Sequence, residues 1–348
     1  MEEKIRKALK GKKAVEEEGF LRFSEKSGGV PRGTIVMGER VIPGYPKIKR
    51  IFVLERGIEK NISSSEFIAE EKIDGYNLRA AMHEKKLVCF SRGGYLDHFA
   101  VEKLEGDPAV KKFFSDNPDW VLCGEMVGNT PHTDPTDFYD VRYYVFDIID
   151  EEGNFLGPME RRDLCRKYGL LPVPLVGAFK KGEIRRLKDE VKKLDRAGKE
   201  GIVIRGLDRE GEMVKHVTPA SDINDLGEAS SKIFDMPSGF MKQRVFRSAI
   251  SMRELALQKD RYALKLGQAL YSGLMDALAR GSVGERYRVR VKEMSTWERI
   301  LKGMGKEVEI KVDWKRKIPE GYQIDFTKTY KEGTRIIKRA LEGHPQED

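Results

Sequence analysis

The stretch IAEEKIDGYNLRA, residues 68–80, contains a lysine that runs directly into a turn sequence, Lys72-Ile73-Asp74-Gly75. Apolar residues precede it, which predicts that Lys72 follows a strand. Gly75 permits a tight turn and Asp74 can cap it. A lysine is a nucleophile only when neutral, and burial or nearby cations favour that form. Because Lys-x-Asp-Gly is also a common surface turn, this stretch alone is weak evidence for a reactive lysine.

Five stretches further along the chain favour the reactive interpretation. Each places a polar or aromatic residue in or at the end of a predicted strand: CFSRGG (Arg92), LCGEMVG (Glu125), YYVFDIID (Phe146), EGIVIR (Glu200) and EMVKHVT (Lys215). Each residue also has a structural explanation, as an ion-pair partner, a turn residue or part of the core. Lys215 is the hardest to explain in this way, because a lysine within an apolar strand is unusual without an anionic partner.

The composition is that of a charged globular protein. The chain has 348 residues, 39% hydrophobic and 35% charged, which is enough for two or more domains. Heavy use of Lys, Glu and Arg is typical of heat-adapted proteins. Three scattered cysteines argue against a disulfide framework and favour the reducing cytoplasm. No apolar run reaches the roughly 18 residues of a membrane span, so we expect no membrane association.

The hydrophobic pattern predicts an α+β protein in four parts. They are a β-rich N-terminal segment (1–50) that opens with a helix over 2–18, a region of short strands and helices (51–238), an almost continuously helical segment (239–284), and a small α+β C-terminal domain (285–348).

The helical segment carries leucines at a spacing of four residues. They are Leu266, Leu270, Leu274 and Leu278. Such a stripe is more often plain core than a partner surface. A helical hairpin beside a β-rich domain is nevertheless a reasonable dimerisation element, and we expect a homodimer formed through residues 240–280.

The positive charge is concentrated near the C-terminus. The chain carries a net charge of +8, and the segment from Arg286 to Ala340 holds 16 Lys/Arg against 8 Asp/Glu. A basic module on a nearly neutral body indicates a polyanionic partner. The alternative is a solvated, salt-bridged surface.

Taken in order, the polar residues resemble the motifs of the covalent nucleotidyltransferase superfamily, which comprises polynucleotide ligases and mRNA capping enzymes. The matching segments are Lys72-Ile73-Asp74-Gly75, Ser91-Arg92-Gly93, Gly124-Glu125, Phe146-Asp147, Glu200-Gly201-Ile202-Val203 and Lys215. Together with GERVIPGYPKIKRIF upstream and the helical and basic segments downstream, roughly residues 30–340 resemble the archaeal ATP-dependent RNA ligases.

The resemblance implies a two-sheet nucleotidyltransferase (adenylation) domain over residues 51–238. It also implies an enzyme that uses ATP and Mg²⁺, with Mn²⁺ as a substitute. Lys72 would attack the α-phosphate and become lysyl-AMP, and the AMP would pass to an RNA 5′-phosphate that a 3′-hydroxyl then attacks. The expected partner is single-stranded or nicked RNA with a 5′-phosphate.

The resemblance also assigns roles to individual residues. Lys215 would stabilise charge at the α-phosphate, Glu200 and Glu125 would face the metal, and Arg92 and Glu125 would hold the ribose. Other cleft contacts follow in the same way: Phe146 on the adenine, Asn77 at the phosphates or the RNA end, Ile73 against the nucleotide, and either Glu70 or Glu71 at the adenine amino group.

One departure from the family pattern concerns the last motif. Many ligases carry Lys-x-Lys there, whereas here Lys215 is followed by His216 and Val217. The second cation is either missing or supplied from elsewhere, such as Arg205 or Lys232.

Three alternatives remain open from the sequence. An ATP-dependent DNA ligase shares the motifs, although we find neither a large N-terminal DNA-binding domain nor a convincing C-terminal OB-fold. A GTP-using capping enzyme shares them too, although the long upstream β segment and the helical hairpin do not fit it. A catalytically inactive nucleic-acid-binding protein on the same fold is disfavoured, because it need not retain Lys72, Glu125, Glu200 and Lys215 together.

Overall fold

The computed structural model describes residues 1–17, 19–207, 211–305 and 307–344. The last four residues of the predicted C-terminal domain lie outside these ranges. The described part contains α1 (Glu2–Lys10), α2 (Leu54–Asn61), α3 (His98–Glu105), α4 (Pro108–Asp116), α5 (Pro158–Tyr168), α6 (Ile184–Arg196), α7 (Pro219–Ser230), α8 (Phe240–Glu254), α9 (Lys259–Arg280), α10 (Met294–Gly303) and α11 (Lys331–Leu341).

The strands are β1 (Ala14–Glu17), β2 (Phe20–Phe23), β3 (Ile35–Met37), β4 (Arg40–Ile42), β5 (Lys49–Arg50), β6 (Glu66–Lys72), β7 (Tyr76–His83), β8 (Lys86–Ser91), β9 (Val121–Gly128), β10 (Val141–Ile149), β11 (Leu175–Lys180), β12 (Gly201–Gly206), β13 (Met213–Val217), β14 (Gly284–Val291), β15 (Val308–Ile318) and β16 (Gly321–Tyr330). They form sheet I (β1-β2-β3-β4), sheet II (β10-β9-β7-β8), sheet III (β11-β6-β12-β13-β5) and sheet IV (β14-β16-β15). The predicted α+β class is confirmed.

Sheets II and III form the body that carries the cleft. The outer face of sheet III buries Phe67 and Ile204 against α2 and α6. Because side chains alternate across a strand, Glu70 and Lys72 of β6 lie on the opposite, inner face. The inner face of sheet II carries Glu125, and the cleft lies where these two inner faces meet.

Sheet I covers part of the inner face of sheet II. Ile35 and Ile42 of sheet I share one buried cluster with Phe90 and Cys123 of sheet II. A fully buried arginine, Arg79 on β7, fastens the N-terminal segment by donating to the carbonyl oxygens of Pro43 (2.6 Å) and Gly33 (2.8 Å). The three cysteines are free and buried.

The basic C-terminal module packs against the rear of sheet II. Trp297 and Phe326 lie in one apolar cluster with Leu78 and Phe113, so this module shares its core with the body. The sequence alone did not predict that shared core.

The N-terminal helix predicted over residues 2–18 is too long. Helix α1 ends at Lys10, the backbone reverses through Lys12 in the left-handed region (φ 55°), and β1 follows. Val15 pairs with Arg22 of β2, so the β-branched residue takes part in a ladder where the charge periodicity had indicated a helix.

The helical segment is a pair, α8 and α9, that packs against α7. The contact between α7 and α9 is very close, since a Cβ added at Gly273 would lie 2.0 Å from the Ser230 hydroxyl and 2.9 Å from the Gly227 carbonyl oxygen. No helix among the described residues is both long and apolar enough to cross a membrane.

Candidate active site

Lys72 is the last residue of β6 and points into the cleft. Gly201 of β12 stands opposite it in the sheet, and the Lys72 side chain is 22% exposed. Its ammonium donates a hydrogen bond to the Glu200 carboxylate. The turn that follows is held tightly against sheet II, because a Cβ at Gly75 would lie 2.4 Å from the Met126 carbonyl oxygen. Gly75 is therefore required by this close approach rather than by a positive φ.

The structure brings all ten predicted site residues together. The cleft encloses about 690 Å³ including its open mouth, which is within the usual range of about 300–1,000 Å³ for small-molecule sites. Its lining includes nine of them: Glu70, Glu71, Lys72, Ile73, Asn77, Arg92, Glu125, Phe146 and Lys215. The tenth, Glu200, holds the Lys72 ammonium.

Two carboxylates near Lys72 have raised pKa values. Burial, together with the negative charges of Glu200 and Asp74, raises the pKa of Glu125 to about 7 against the opposing charge of Lys72. Burial is also the main cause of the raised pKa of Glu200, again opposed by Lys72. Two carboxylates that repel each other in a buried site favour a cation between or beside them.

Lys215 is a cation that the cleft destabilises. Burial, together with the positive charges of Lys72, Arg50 and Arg92, lowers its pKa to about 8. Cations that repel one another in this way favour an anionic ligand beside them.

Phe146 is aimed into the cleft by an irregularity in its strand. Val145 pairs with Gly124 and Asp147 pairs with Cys123, so Phe146 is the unpaired residue of a β-bulge. Bulges commonly re-aim a side chain beside an active site. The ring packs edge-on against Tyr45, with centroids 4.9 Å apart.

A buried ionic network lies beneath the cleft and joins its two sheets. Arg205 of β12 donates to both Asp147 oxygens at 3.0 Å and lies 3.2 Å from Glu70. Arg161 and Arg162 of α5 also donate to Glu70, at 2.6 and 2.9 Å. The Glu70 carboxylate is thus held by three guanidinium groups.

Glu71 forms fewer ion pairs than Glu70. Its carboxylate pairs at 3.0 Å with Lys199, a side chain that is 51% exposed. This difference in pairing leaves Glu71 the freer carboxylate of the two for a ligand.

Asn77 and Arg92 have hydrogen-bonding groups in the cleft that are free to bind a ligand. The Asn77 side-chain oxygen is buried and has no hydrogen-bond partner among the described residues. Arg92 is exposed and makes one long contact, 3.4 Å, with the Pro46 carbonyl oxygen. A buried polar atom without a partner is uncommon, and a ligand would satisfy it.

The residues present fit a nucleotide with a hydrated magnesium ion. The described residues contain no cluster of three or more His, Cys, Asp or Glu side chains suited to hold a metal by themselves. Mg²⁺ is usually held by one or two carboxylates, with waters and substrate phosphates as its other ligands. Glu125 and Glu200, with their raised pKa values, match that donor set.

Some site residues were missed from the sequence. Tyr45 lines the cleft and donates to Asp147, but it lies in the N-terminal segment, whose pairing could not be read locally. Arg161 and Arg162 were visible as adjacent arginines in a predicted helix. Only the fold shows that both meet Glu70.

Comparison with known proteins gives two family-model matches and a relative of similar sequence. Residues 65–217 match the family model described as RNA ligase, and residues 228–344 match the model described as the C-terminal region of ligase Pab1020. An uncharacterized protein of Methanocaldococcus jannaschii is 29% identical over 286 residues, covering 76% of this chain and 71% of that protein.

Solved structures match over nearly the whole chain. An archaeal ATP-dependent RNA ligase has a TM-score of 0.89 at 26% identity, covering 98% of this chain and 96% of that one. A chain from Aquifex aeolicus, provisionally described as an ATP-dependent DNA ligase, has a TM-score of 0.92 at 26% identity and covers 100% of both chains.

Fold and site together define a ligase-type nucleotidyltransferase, as the order of motifs predicted. Residues 65–217 match the RNA ligase family model, and the chain shares the fold of the archaeal ATP-dependent RNA ligases over almost its full length.

Proposed function

We propose that this chain joins RNA 5′-phosphate and 3′-hydroxyl ends through a lysyl-AMP intermediate on Lys72. The observation that carries the proposal is the convergence of six separated stretches on one cleft, with a lysine at its centre. A surface-turn lysine would have no reason to face Glu125, Glu200 and Lys215 together.

In the first step, the neutral Lys72 amine attacks the α-phosphorus of ATP. A P–N bond forms, the bond from the α-phosphorus to the bridging oxygen breaks, and diphosphate leaves. The proton on the attacking nitrogen must depart, and the Glu200 carboxylate is the acceptor already in contact with it. The covalent intermediate divides one difficult displacement into easier ones.

The charge on the α-phosphate is met by cations of the protein. Lys215 lies on β13 in the same sheet as Lys72 and supplies a positive charge to the non-bridging oxygens. Positioned charge of this kind is the main protein contribution to phosphoryl and nucleotidyl transfer. Mg²⁺, held by Glu200 and Glu125 with waters, would add further charge at the same oxygens.

The nucleoside is held by the residues deeper in the cleft. Phe146 stacks on the adenine, and its bulge fixes the ring direction. Glu71 accepts from the adenine amino group, since the Glu70 carboxylate is occupied by arginines. Arg92 and Glu125 bind the ribose hydroxyls.

Asn77 and Ile73 complete the nucleotide site. The unpartnered Asn77 oxygen and its amide face the phosphates or the RNA end, and Ile73 contributes apolar contact beside Lys72. In the later steps the AMP passes to the RNA 5′-phosphate, the 3′-hydroxyl attacks that phosphorus, and AMP leaves.

Each of the four predicted segments of the chain has its own role in this reaction. We assign residues 51–238 to adenylation and 285–348 to RNA contact, with 1–50 covering the cleft. Residues 239–284 form the dimerisation segment, because α8 and α9 expose apolar side chains. The three free thiols fit a reducing compartment, and we place the activity in the cytoplasm.

A labelling experiment tests the proposal. The protein is incubated with Mg²⁺ and α-³²P-ATP or α-³²P-GTP and separated on a denaturing gel. We expect covalent label from ATP, none from Lys72→Ala, and full label from Lys86→Ala, an exposed lysine at the start of β8. Absence of label from both nucleotides would overturn the proposal.

A DNA ligase remains the second candidate, because the Aquifex aeolicus chain carries that provisional description. Preformed enzyme-adenylate is therefore offered 5′-phosphorylated single-stranded RNA, nicked RNA and nicked DNA in parallel. Sealing of RNA in preference to DNA supports the RNA assignment, and the reverse preference replaces it with DNA ligation.

A further inference from the structure

Arg50, which lies in the GERVIPGYPKIKRIF stretch but in none of the six motif segments, is on the inner face of sheet III. Strand β5 pairs in parallel with β13, and Arg50 is the register partner of Lys215. Lys215 in turn stands opposite Val203, and Val203 stands opposite Glu70. Registered partners on adjacent strands project from the same face of a sheet. Arg50 therefore extends the cleft-facing row by one residue at the edge of the sheet.

The position where the family pattern expects a second lysine cannot supply a charge. It is Val217, which is 6% exposed and stands opposite Gly201. Gly201 stands opposite Lys72, so residue 217 is level with the nucleophile. The chain thus has an apolar side chain where the family pattern expects a second cation.

The two substitutes considered from the sequence are both engaged elsewhere. Arg205 is fixed by Asp147 and Glu70 beneath the cleft. Lys232 pairs with Glu285 of the C-terminal module. Neither is available to a phosphate without breaking a part-buried or buried ion pair.

Arg50 has the free capacity that those two residues lack. One of its terminal nitrogens, Nη1, is buried and has no hydrogen-bond partner among the described residues. Its charge helps to lower the pKa of Lys215, and the charges of Arg247, Asp222 and Glu200 act on Arg50 in turn, so the guanidinium lies near both Lys215 and the Asp222–Arg247 ion pair. A partly buried guanidinium with an unused buried donor is costly unless an anion is supplied.

We propose that Arg50 is the second phosphate-binding cation of this enzyme and acts with Lys215 in place of a Lys-x-Lys pair. The planar guanidinium matches the oxygens of a phosphate group in a bidentate contact. The phosphate comes either from the diphosphate part of ATP or from the RNA 5′-phosphate. The inference rests on the proposed function for its choice of phosphates.

The test measures binding directly, alongside self-adenylylation. Arg50→Ala, Arg50→Lys and the control Lys49→Ala are titrated with ATP, AMP, inorganic diphosphate, and RNA carrying either a 5′-phosphate or a 5′-hydroxyl. Lys49 is exposed and neighbours Arg50 in β5, so it reports any general effect of disturbing the strand. Circular dichroism checks that each variant is folded.

A diphosphate role predicts that Arg50→Ala weakens ATP and diphosphate binding about tenfold or more, as expected for a lost charge-assisted contact, and leaves AMP unchanged. A 5′-phosphate role predicts normal ATP binding and loss of the preference for phosphorylated RNA. Either result supports the proposal and identifies the source. Unchanged binding of all five ligands overturns it.

A rescue variant tests whether the loss of affinity in Arg50→Ala comes from the missing charge or from an indirect change in structure. Arg50→Ala/Val217→Lys restores a Lys-x-Lys sequence, and we expect it to regain the lost affinity. If the proposed function is wrong, the unchanged protein will show no covalent label from ATP. The binding titration is independent of that label, so it can still show whether diphosphate binding depends on Arg50.

Discussion

At the scale of single residues, the cleft shifts the pKa values of two groups in opposite directions. The pKa of Glu125 is raised to about 7, so this carboxylate is protonated and a poorer acceptor below that pH. The pKa of Lys215 is lowered to about 8, so its ammonium is lost above that pH. In the free protein, Glu125 is therefore mostly ionised while Lys215 is mostly protonated only between about pH 7 and about pH 8.

We predict that the affinity for α,β-methylene-ATP, which cannot transfer AMP, is greatest between these two pKa values. Its dissociation constant, measured from about pH 5 to 10, should rise on each side by at most tenfold per pH unit. Glu125→Gln should flatten the acid limb. Lys215→Arg should flatten the alkaline limb, because a guanidinium stays charged there. Limbs that persist in both variants would contradict the assignment.

A second prediction concerns Gly75. A Cβ there would lie 2.4 Å from the Met126 carbonyl oxygen and 2.5 Å from Val127 Cγ1, so the turn after Lys72 must move away from sheet II. Gly75→Ala should lower the free energy of unfolding by roughly 1–3 kcal/mol, as overpacking does. Urea denaturation measures this.

The matched control for that experiment is Gly182→Ala, where nothing lies within 4 Å of the added Cβ. We expect Gly182→Ala to leave the urea midpoint nearly unchanged. Equal effects of the two substitutions would show that packing at Gly75 is not the cause.

At the scale of elements, the sequence predicted the strands that carry chemistry and missed the contacts between them. Alternation and β-branched residues indicate β9, β10, β12 and β13, because those patterns are local. The pairing of β5 with β13 is not local, since it joins residues about 165 positions apart. Arg50 consequently had no signal in its own neighbourhood. The same reason hid the ionic network around Glu70, whose partners come from α5 and β12.

For helix α9, the hydrophobic periodicity of the sequence did not show which face is buried. The leucine stripe predicted from the sequence includes Leu266, Leu270 and Leu274, which are only partly exposed. The more exposed stripe contains Leu264, Tyr271, Met275 and Leu278, which are 63%, 72%, 61% and 37% exposed. The sequence showed an amphipathic helix but not which side α7 covers.

Strand β15 is the element best suited to contact RNA. It is the outer strand of sheet IV, and it exposes three consecutive basic residues, Lys315, Arg316 and Lys317. Trp314 is 45% exposed, with the Arg316 guanidinium 4.7 Å from its ring centroid. Single-stranded nucleic acids bind to such combinations of stacking aromatic and cation.

We predict that Trp314→Ala weakens binding of single-stranded RNA by about 1–3 kcal/mol, the usual value of one base stack. Lys315→Ala/Lys317→Ala should weaken binding and reduce the salt dependence by about 0.7 per lost phosphate contact. Fluorescence anisotropy at several salt concentrations separates the two effects. Lys10→Ala/Lys12→Ala removes the same charge from the N-terminus and should leave the slope unchanged, since a change there would indicate net charge alone.

At the scale of the whole molecule, an apolar surface on the helical segment is left exposed. Apart from the exposed stripe of α9, Val245 and Phe246 of α8 are 43% and 61% exposed, and the Phe246 ring lies 6.2 Å from that of Phe52. An exposed apolar stripe such as that of α9 often marks a protein interface. A second copy of the chain could cover it by placing equivalent helices together, as twofold dimers do.

We therefore predict that the protein is a dimer in solution and that Tyr271→Glu/Met275→Glu makes it monomeric. Two charges placed in the centre of an apolar interface would be desolvated without partners, which costs several kcal/mol and exceeds what most dimer contacts can offset. Sedimentation velocity measures the change in mass. Lys265→Glu changes a charge on the same helix at an exposed position outside this stripe and should remain dimeric. Because every residue of the candidate active site comes from one chain, the monomeric variant should still form lysyl-AMP at the unchanged rate. A monomeric parent protein, or a double variant that stays dimeric, would exclude this face as the interface.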